Sequence, residues 1–314
     1  MSFKCYYASD IHGSELLWRK FLNAGKFYGA DILIMGGDIA GKAVIPIVQR
    51  DGAFYSPEMA GDQAFREDEV PQLERRIRDR GLYPHRMTSD EVALTHGDQV
   101  ATDALFLQVM ESTLTRWLEM AGERLDTART RLYVMLGNDD EPGLRKILAA
   151  SPVVVDPEDV VIDLGEGIQM MSCGFANPTP WHSPREMPEE QLRAHLEKLV
   201  VQLDDPSRSV FNLHVPPIRT SIDTAPVVSA DLAPVIQGGS VLMGSAGSEA
   251  VRAVIETYQP LIALHGHIHE SRGIAKLGKT VCVNPGSEYS EGVLHGALLE
   301  FDGKGLKRYQ LTSG

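Results

Sequence analysis

Short apolar runs of strand length recur along the 314-residue chain, and five of them stop abruptly at glycine or polar residues. Such runs, bounded by turn residues, are typical of strands buried inside a sheet. The five runs cover residues 3–8, 31–35, 131–136, 210–213 and 261–264. After the first run, Leu17, Phe21 and Ala24 repeat at helical spacing, so the first two runs and this helix predict a βαβ unit with parallel strands.

Residues of metal-binding type follow all five runs. In chain order they are Asp10 and His12, Asp38, Asn138, His214, and His267 and His269. Residues two apart on an extended segment point the same way, so each pair can face one site. The carboxyl ends of parallel strands meet at one edge of a sheet, which brings these side chains together. A buried, hydrogen-bonded histidine is the commoner role for any one of them alone, whereas the cluster favours metal ligands.

The donor set indicates which ions it would hold. Carboxylate, amide and imidazole donors suit divalent Mn, Fe, Zn, Co or Ni better than a thiolate site would. Seven donors exceed what one tetrahedral ion takes. A carboxylate can bridge, so two ions about 3.5–4 Å apart would account for all of them.

The segment at about residues 42–130 has a different character. A charge-dense stretch at 67–80 and a stripe at 107–121 both carry apolar positions at helical spacing, so we expect a mostly helical insertion in a single domain covering 1–314. The insertion caps the site, makes a homodimer contact, or adds packing without chemistry. Its histidines, His85 and His96, are predicted to be solvated loop residues.

Charge and cysteine content narrow the class of protein. The net charge of −13 weighs against nucleic acid or an anionic membrane as partner. Three cysteines without a CxxC pair, Cys5, Cys173 and Cys282, favour buried reduced thiols in a reducing compartment. The N-terminus has no signal-peptide pattern, and no apolar stretch reaches the roughly 18 residues of a membrane span. The sequence therefore predicts a cytoplasmic protein.

Five motifs, in this order, resemble those of the calcineurin-like metallophosphoesterase superfamily. They are Asp10-x-His12, Gly37-Asp38, Gly137-Asn138-x-Asp140, His214 and Gly266-His267-x-His269. The resemblance implies a four-layer α/β/β/α sandwich. It implies one metal held by Asp10, His12, Asp38 and His269, and a second held by Asp38, Asn138, His214 and His267. Asp38 would bridge the two ions, and His265 would either support the ligands or be structural.

The implied reaction is hydrolysis of a phosphate ester by hydroxide formed from a water that bridges two cations. Asp38, Asn138 and Asp139 are the candidate catalytic residues. Many relatives carry histidine where this chain has Asp139, and an aspartate with an ordinary pKa is ionised at neutral pH and cannot donate a proton unless burial raises that pKa. We therefore expect good leaving groups, including phosphodiesters, to be preferred over ordinary monoesters.

The substrate is expected to be a small phosphorylated molecule or nucleotide. The Asp-Arg-Gly sequence of phosphoprotein phosphatases is absent after Asp38, which disfavours that class. Lys42 either contacts a phosphate oxygen or is a surface lysine. Trp181 and His182 either line the substrate cleft or belong to a proline-rich loop in which the tryptophan is packed, and packing is the commoner case. The alternative function is a catalytically silent scaffold or regulatory protein with the same fold.

Overall fold

The computed structural model describes residues 2–95 and 97–314. Its helices are α1 (Glu15–Tyr28), α2 (Pro57–Ala60), α3 (Val70–Asp79), α4 (Ser89–Thr95), α5 (Gln99–Arg124), α6 (Arg145–Ala150), α7 (Glu189–Val200) and α8 (Glu249–Tyr258). Within the described residues, none of these helices has the length and apolar character that crossing a membrane requires.

Twenty strands and three short 3-10 turns, Pro142–Leu144, Pro206–Arg208 and Tyr289–Glu291, complete the described structure. The strands of the first half are β1 (Ser2–Ala8), β2 (Ile32–Gly36), β3 (Val44–Arg50), β4 (Ala53–Tyr55), β5 (Ala64–Phe65), β6 (Tyr83–Thr88), β7 (Arg131–Met135), β8 (Val154–Val155), β9 (Val161–Gly165) and β10 (Ile168–Cys173). Those of the second half are β11 (Ser209–Leu213), β12 (Thr224–Pro226), β13 (Ile236–Gln237), β14 (Ser240–Val241), β15 (Met243–Ser245), β16 (Ile262–Leu264), β17 (Gly273–Leu277), β18 (Thr280–Asn284), β19 (His295–Asp302) and β20 (Gly305–Ser313).

Two six-stranded sheets form the centre of the molecule. One has the order β20-β19-β1-β2-β7-β8 and the other the order β17-β18-β16-β11-β10-β9. The inner strands are parallel: β1 with β2 and β2 with β7 in the first sheet, and β11 between β10 and β16 in the second. The five predicted strands are thus β1, β2, β7, β11 and β16, three in one sheet and two in the other.

Three apolar clusters show how the layers pack. Between the sheets, Tyr7 and Ile34 of the first meet Val210 and Ile262 of the second. The outer face of the first sheet is covered by α1 and α5. The outer face of the second is covered by α7 and α8. Helices thus pack on the outer face of each sheet, and the predicted α/β fold class is confirmed.

The insertion at 42–130 contains helices α2 to α5 and also a four-stranded sheet, β5-β4-β3-β6, that the sequence analysis did not predict. Its strands are short, and the two longest contain prolines, Pro46 and Pro84, which are unusual inside a strand. The sheet packs on α3 through a small core of its own. His85 lies on β6 and is half-buried, so the prediction that it is a solvated loop residue is wrong. His96 lies outside the described residues.

Helix α5 of the insertion belongs to the main body of the protein. Its Trp117 stacks on Trp18 of α1 with ring centroids 5.4 Å apart. The Trp18 indole nitrogen also donates a hydrogen bond to the Trp117 carbonyl oxygen at 3.0 Å. Of the roles predicted for the insertion, packing is therefore the one that α5 has. A homodimer contact through the insertion stays a prediction.

Candidate metal centre

The carboxyl ends of the five predicted strands converge on one buried site. The structure brings together all seven predicted ligands, which are Asp10, His12, Asp38, Asn138, His214, His267 and His269. The donor atoms of six of them form two compact groups, one of Asp10, His12 and His269 and one of Asp38, His214 and His267. The seventh, Asn138, precedes Asp139, whose amide donates a hydrogen bond to Asp38 Oδ1. Within each group the donor atoms lie within 4.8 Å of one another. Five of the seven residues are buried, while His267 and His269 are half-buried.

In the first group, two imidazole nitrogens lie close to each other and to a carboxylate. The Nε2 atoms of His12 and His269 are 2.9 Å apart. His269 Nε2 lies 3.4 Å from Asp10 Oδ1, and His12 Nε2 lies 3.8 Å from Asp38 Oδ2. Two imidazole nitrogens and two carboxylate oxygens at these distances form a donor set that fits a divalent cation.

The second group shows the tautomer that metal binding requires. His214 Nδ1 donates to the Gly36 carbonyl oxygen at 2.9 Å, so the Nε2 lone pair of the neutral ring points into the site. That Nε2 atom lies 3.3 Å from Asp38 Oδ2 and 3.9 Å from Asp10 Oδ1. Within the described part of the chain, His214 Nε2 and Asn138 Oδ1 are buried without a hydrogen-bond partner. Buried polar atoms are nearly always satisfied, so these two atoms fit a bound cation.

Four of the predicted ligands have an unusual backbone conformation. Asp10, His12, Asp38 and His267 have φ values of 57°, 39°, 51° and 66°, a region that L residues seldom adopt. Hydrogen bonds hold the loops in this conformation. The His267 amide donates to Asp10 Oδ1 at 3.0 Å, and the Asp139 amide donates to Asp38 Oδ1 at 2.9 Å. Each bond also orients a carboxylate toward the site.

Neighbouring histidines keep the carboxyl groups of Asp10 and Asp38 ionised. Burial by itself would raise the pKa of Asp10, but the hydrogen bond from His269 and the charge of His214 lower it to about 2. Burial acts likewise on Asp38, whose pKa is held well below its usual range mainly by His214. Burial opposes protonation of His214, yet the Asp38 and Asp10 carboxylates raise its pKa to about 10. The carboxylates therefore attract positive charge to this point, whether a proton or a metal ion.

Three side chains hold Asp139 next to the site, and one of them, Asn138, is itself a predicted ligand. Lys42 Nζ lies 2.8 Å from Asp139 Oδ2. Asp139 Oδ1 accepts hydrogen bonds from Ser183 Oγ at 2.5 Å and from Asn138 Nδ2 at 2.9 Å. Both oxygens of Asp139 thus act as acceptors, which is the behaviour of an ionised carboxylate. Lys42 and Asp139 are separate candidates in the sequence, but nothing in the sequence indicates that they pair, and no pattern points to Ser183.

The side chains of Trp181 and His182 are exposed on a surface loop. Trp181 is 60% exposed, so the interpretation of this residue as a packed tryptophan is wrong. His182 is exposed and has a φ of 54°. Among the described contacts, neither side chain touches a predicted ligand. Ser183 is the residue of this loop that reaches the site.

Asp140 and Arg185 fix the turn that carries Asn138. Asp140 is fully buried and accepts from the amides of Ala40 and Gly137, each at 2.7 Å. Arg185 donates to the Gly137 carbonyl at 3.0 Å through Nη1 and to the Asn138 carbonyl at 3.1 Å through its amide. Asp140 belongs to a recognisable motif, whereas no sequence pattern singles out Arg185.

His265 holds the two histidine-bearing loops together behind the site. It is fully buried, and its Nδ1 lies 2.8 Å from the Leu213 carbonyl oxygen and 3.0 Å from that of Val215. These bonds connect the end of β16 to the loop after β11. The side chain is used within the fold, in agreement with the predicted structural role.

Comparison with known proteins finds a sequence relative over part of the chain and solved structures of similar fold. No protein-family model matches the chain. A 123-residue segment is 34% identical to the uncharacterized protein MJ1162 of Methanocaldococcus jannaschii, covering 38% of this chain. The match spans about half the length of that relative, 49%.

Solved structures align over almost the whole chain. The structure of TT1561 of Thermus thermophilus has a TM-score of 0.52 at 14% identity, with 100% of this chain and 99% of that chain covered. A novel phosphatase of Mycoplasma pneumoniae has a TM-score of 0.48 at 12% identity, with coverage of 100% and 94%. At such identities the likeness to TT1561 concerns the fold alone.

Proposed function

We propose that this chain, whose fold and motif order are those of the calcineurin-like metallophosphoesterase superfamily, is a metal-dependent hydrolase of phosphate esters. The observation that carries the proposal is the convergence of carboxylate, amide and imidazole donors from five separate strand ends on one buried site. The two groups meet at Asp38, whose Oδ2 lies 3.8 Å from His12 Nε2 and 3.3 Å from His214 Nε2.

The donor groups support a site for two divalent cations. One would be held by Asp10, His12, Asp38 and His269, and the other by Asp38, Asn138, His214 and His267. Bound there, two cations lower the pKa of a coordinated water and neutralise charge on the phosphoryl oxygens. Mn, Fe, Zn, Co and Ni all suit this donor set.

The chain's own residues determine which esters suit the site. Asp139 already accepts two hydrogen bonds and pairs with Lys42, so it has no proton to give to a leaving oxygen. Lys42 places a positive charge beside the site, where it can attract a phosphoryl oxygen. We infer that substrates with good leaving groups, phosphodiesters among them, react faster than ordinary monoesters. A small phosphorylated molecule or nucleotide fits the net charge of −13 better than nucleic acid does.

The test is hydrolysis of bis-p-nitrophenyl phosphate and p-nitrophenyl phosphate by protein supplied with Mn²⁺ and by protein treated with chelator. We expect the diester to be cleaved faster than the monoester, and chelation to abolish both activities. Faster cleavage of the monoester would contradict the role given to Asp139. No cleavage of either ester with any of the five metals would favour the silent scaffold.

A further inference from the structure

A cavity of about 410 Å³ opens beside the candidate metal centre. It is lined by Lys42, Arg80, Gly81, Leu82, Tyr289 and Ser290. The ring of Tyr289 lies 4.8 Å from the ring of His12 and 6.0 Å from that of His269, measured between centroids. The cavity and the metal centre therefore share a wall, and one bound molecule can reach both.

The insertion contributes one side of this cavity through a close backbone contact. A Cβ atom on Gly81 would lie 2.3 Å from the His12 carbonyl oxygen and 3.1 Å from the Tyr289 ring. Gly81 also has a φ of 81°, which favours glycine. The turn between α3 and β6 thus lies directly against the loop that carries His12. This contact places Arg80, the preceding residue, among the residues that line the cavity.

The charge of the lining is opposite to that of the whole protein. Two lining residues are basic and none is acidic, although the net charge of the chain is −13. Lys42 is already paired with Asp139 at 2.8 Å. Arg80 is exposed, and across residues 2–95 and 97–314 its guanidinium has no ion-pair partner. A guanidinium offers a planar fork of donors that matches a carboxylate or a phosphate.

We propose that this cavity binds one of the two ester groups of a phosphodiester, the one that stays on the phosphate when the other leaves. This retained ester group carries a second anion, a carboxylate or a phosphate, and Arg80 binds that anion. Tyr289 and Leu82 offer apolar surface to the part of the molecule between the two anions. The inference rests on the proposed function, since it requires the scissile phosphate to lie at the metal centre. The substrate class is then a phosphodiester with a further negative charge beyond the reacting phosphate.

Three diesters with one common leaving group test the inference on the Mn²⁺-loaded protein. They are p-nitrophenyl phenyl phosphate and its analogues with a 4-carboxylate or a 4-phosphonate on the phenyl ring. We expect kcat/KM to be at least about tenfold higher for one or both charged diesters than for the uncharged one, as expected for a charge-assisted hydrogen bond. The better of the two charged diesters identifies the anion.

Variants separate a specific contact from general attraction. Arg80→Gln should bring the ratio of kcat/KM values for charged and uncharged diesters close to one, and Arg80→Lys should retain part of it. Arg76→Gln removes the same charge from an exposed position on α3 outside the cavity. In this variant the ratio of kcat/KM values for charged and uncharged diesters should equal that of the wild-type protein. An equal rate on all three diesters, or a preference that Arg80→Gln keeps, would overturn the inference while the hydrolase function stands. Absence of turnover of every diester would overturn both.

Discussion

At the scale of single residues, Asp38 has more of the features expected of a bridging metal ligand than any other predicted ligand. It lies between the two donor groups, its φ is 51°, and its Oδ1 accepts the Asp139 amide at 2.9 Å. The nearby His214 keeps its pKa well below the usual range, so it is ionised whenever a cation could bind. Replacing its charge should therefore affect both proposed ions at once.

Asp38→Asn keeps the shape of this side chain but removes its charge. We expect the variant to retain less metal after purification without chelator and to lose at least about 100-fold in diester hydrolysis, since even residues that only support a ligand are worth 10–100-fold. Elemental analysis and the bis-p-nitrophenyl phosphate assay measure the two effects. Asp62→Asn, at an exposed position of the insertion, is the matched control. Full metal content and activity in Asp38→Asn would contradict the proposed bridge.

The three cysteines also agree with their prediction at this scale. Cys5, Cys173 and Cys282 are all buried and unpaired. Burial raises the pKa of Cys173 and of Cys282 to about 12. Since the thiolate is the reactive form, these thiols serve as apolar core residues.

At the scale of elements, Glu15 connects the insertion to α1. It is 6% exposed and accepts a hydrogen bond from Arg19 at 3.1 Å on its own helix. Arg116 of α5 also donates to it, and Arg78 of α3 lies 3.6 Å away. One carboxylate thus neutralises basic groups from three helices, two of which belong to the insertion.

Glu15→Gln should destabilise the protein by about 2 kcal/mol. The arginines remain close together without their common acceptor, and their partial exposure reduces the penalty below that of a fully buried pair. Equilibrium unfolding in urea measures the change in free energy. Glu58→Gln, at an exposed site on α2, should change the unfolding free energy by less than about 0.5 kcal/mol. Equal stability of Glu15→Gln and wild type would show that this cluster contributes nothing.

A second pair supports the site itself. Arg185 and Glu158 are 2% and 1% exposed, and an Arg185 Nη2 atom lies 2.6 Å from Glu158 Oε2. Glu158 also accepts the Gly174 amide at 2.8 Å. Because Arg185 donates to the carbonyl oxygens of Gly137 and Asn138, this pair determines where the Asn138 turn lies.

Glu158→Gln leaves a buried guanidinium without its counter-charge, so we expect a loss of about 3 kcal/mol in unfolding free energy. Because Asn138 is then less well positioned, the Mn²⁺ concentration for half-maximal activity should rise about tenfold. Glu197→Gln breaks the exposed Arg193–Glu197 pair instead and should leave that Mn²⁺ requirement unchanged. A loss of stability with an unchanged Mn²⁺ requirement would limit Arg185 to a folding role.

At the scale of the whole molecule, the predicted ligands come from both sheets. Asp10, Asp38 and Asn138 follow strands of the first sheet, and His214, His267 and His269 follow strands of the second. A cation held by ligands from both sheets would oppose their separation during unfolding. Metal binding and fold stability should therefore be coupled.

Saturating Mn²⁺ should raise the unfolding free energy of the wild-type protein. A ligand that binds only the folded state, at 100 times its dissociation constant, adds about 2.7 kcal/mol. Urea unfolding with Mn²⁺ and with chelator measures this difference, and Asp38→Asn should show much less of it. An unfolding midpoint that does not respond to Mn²⁺ would argue against a cation between the sheets.

The sequence by itself determined the strand ends and the residues that follow them. A buried strand shows as a short apolar run, and Asp10, His12, His267 and His269 follow the ends of two such runs. Strand alternation does not place them, because three of the four have a left-handed backbone beyond the strand ends, and His267 and His269 enter different donor groups. Because parallel strands end at one edge, the convergence of these residues within each sheet could be expected without coordinates, whereas the meeting of the two edges could not. Local patterns of this kind also identified α1 and α5.

Only the tertiary structure decided which residues support that site and what borders it. The pairing of Lys42 with Asp139 and the contact of Ser183 with the same carboxylate join segments far apart in the chain. The contact of Gly81 with the His12 loop, which places Arg80 beside the site, is equally distant in sequence. Such contacts depend on how layers and insertion pack, and packing leaves no periodic signal in the residues that make it.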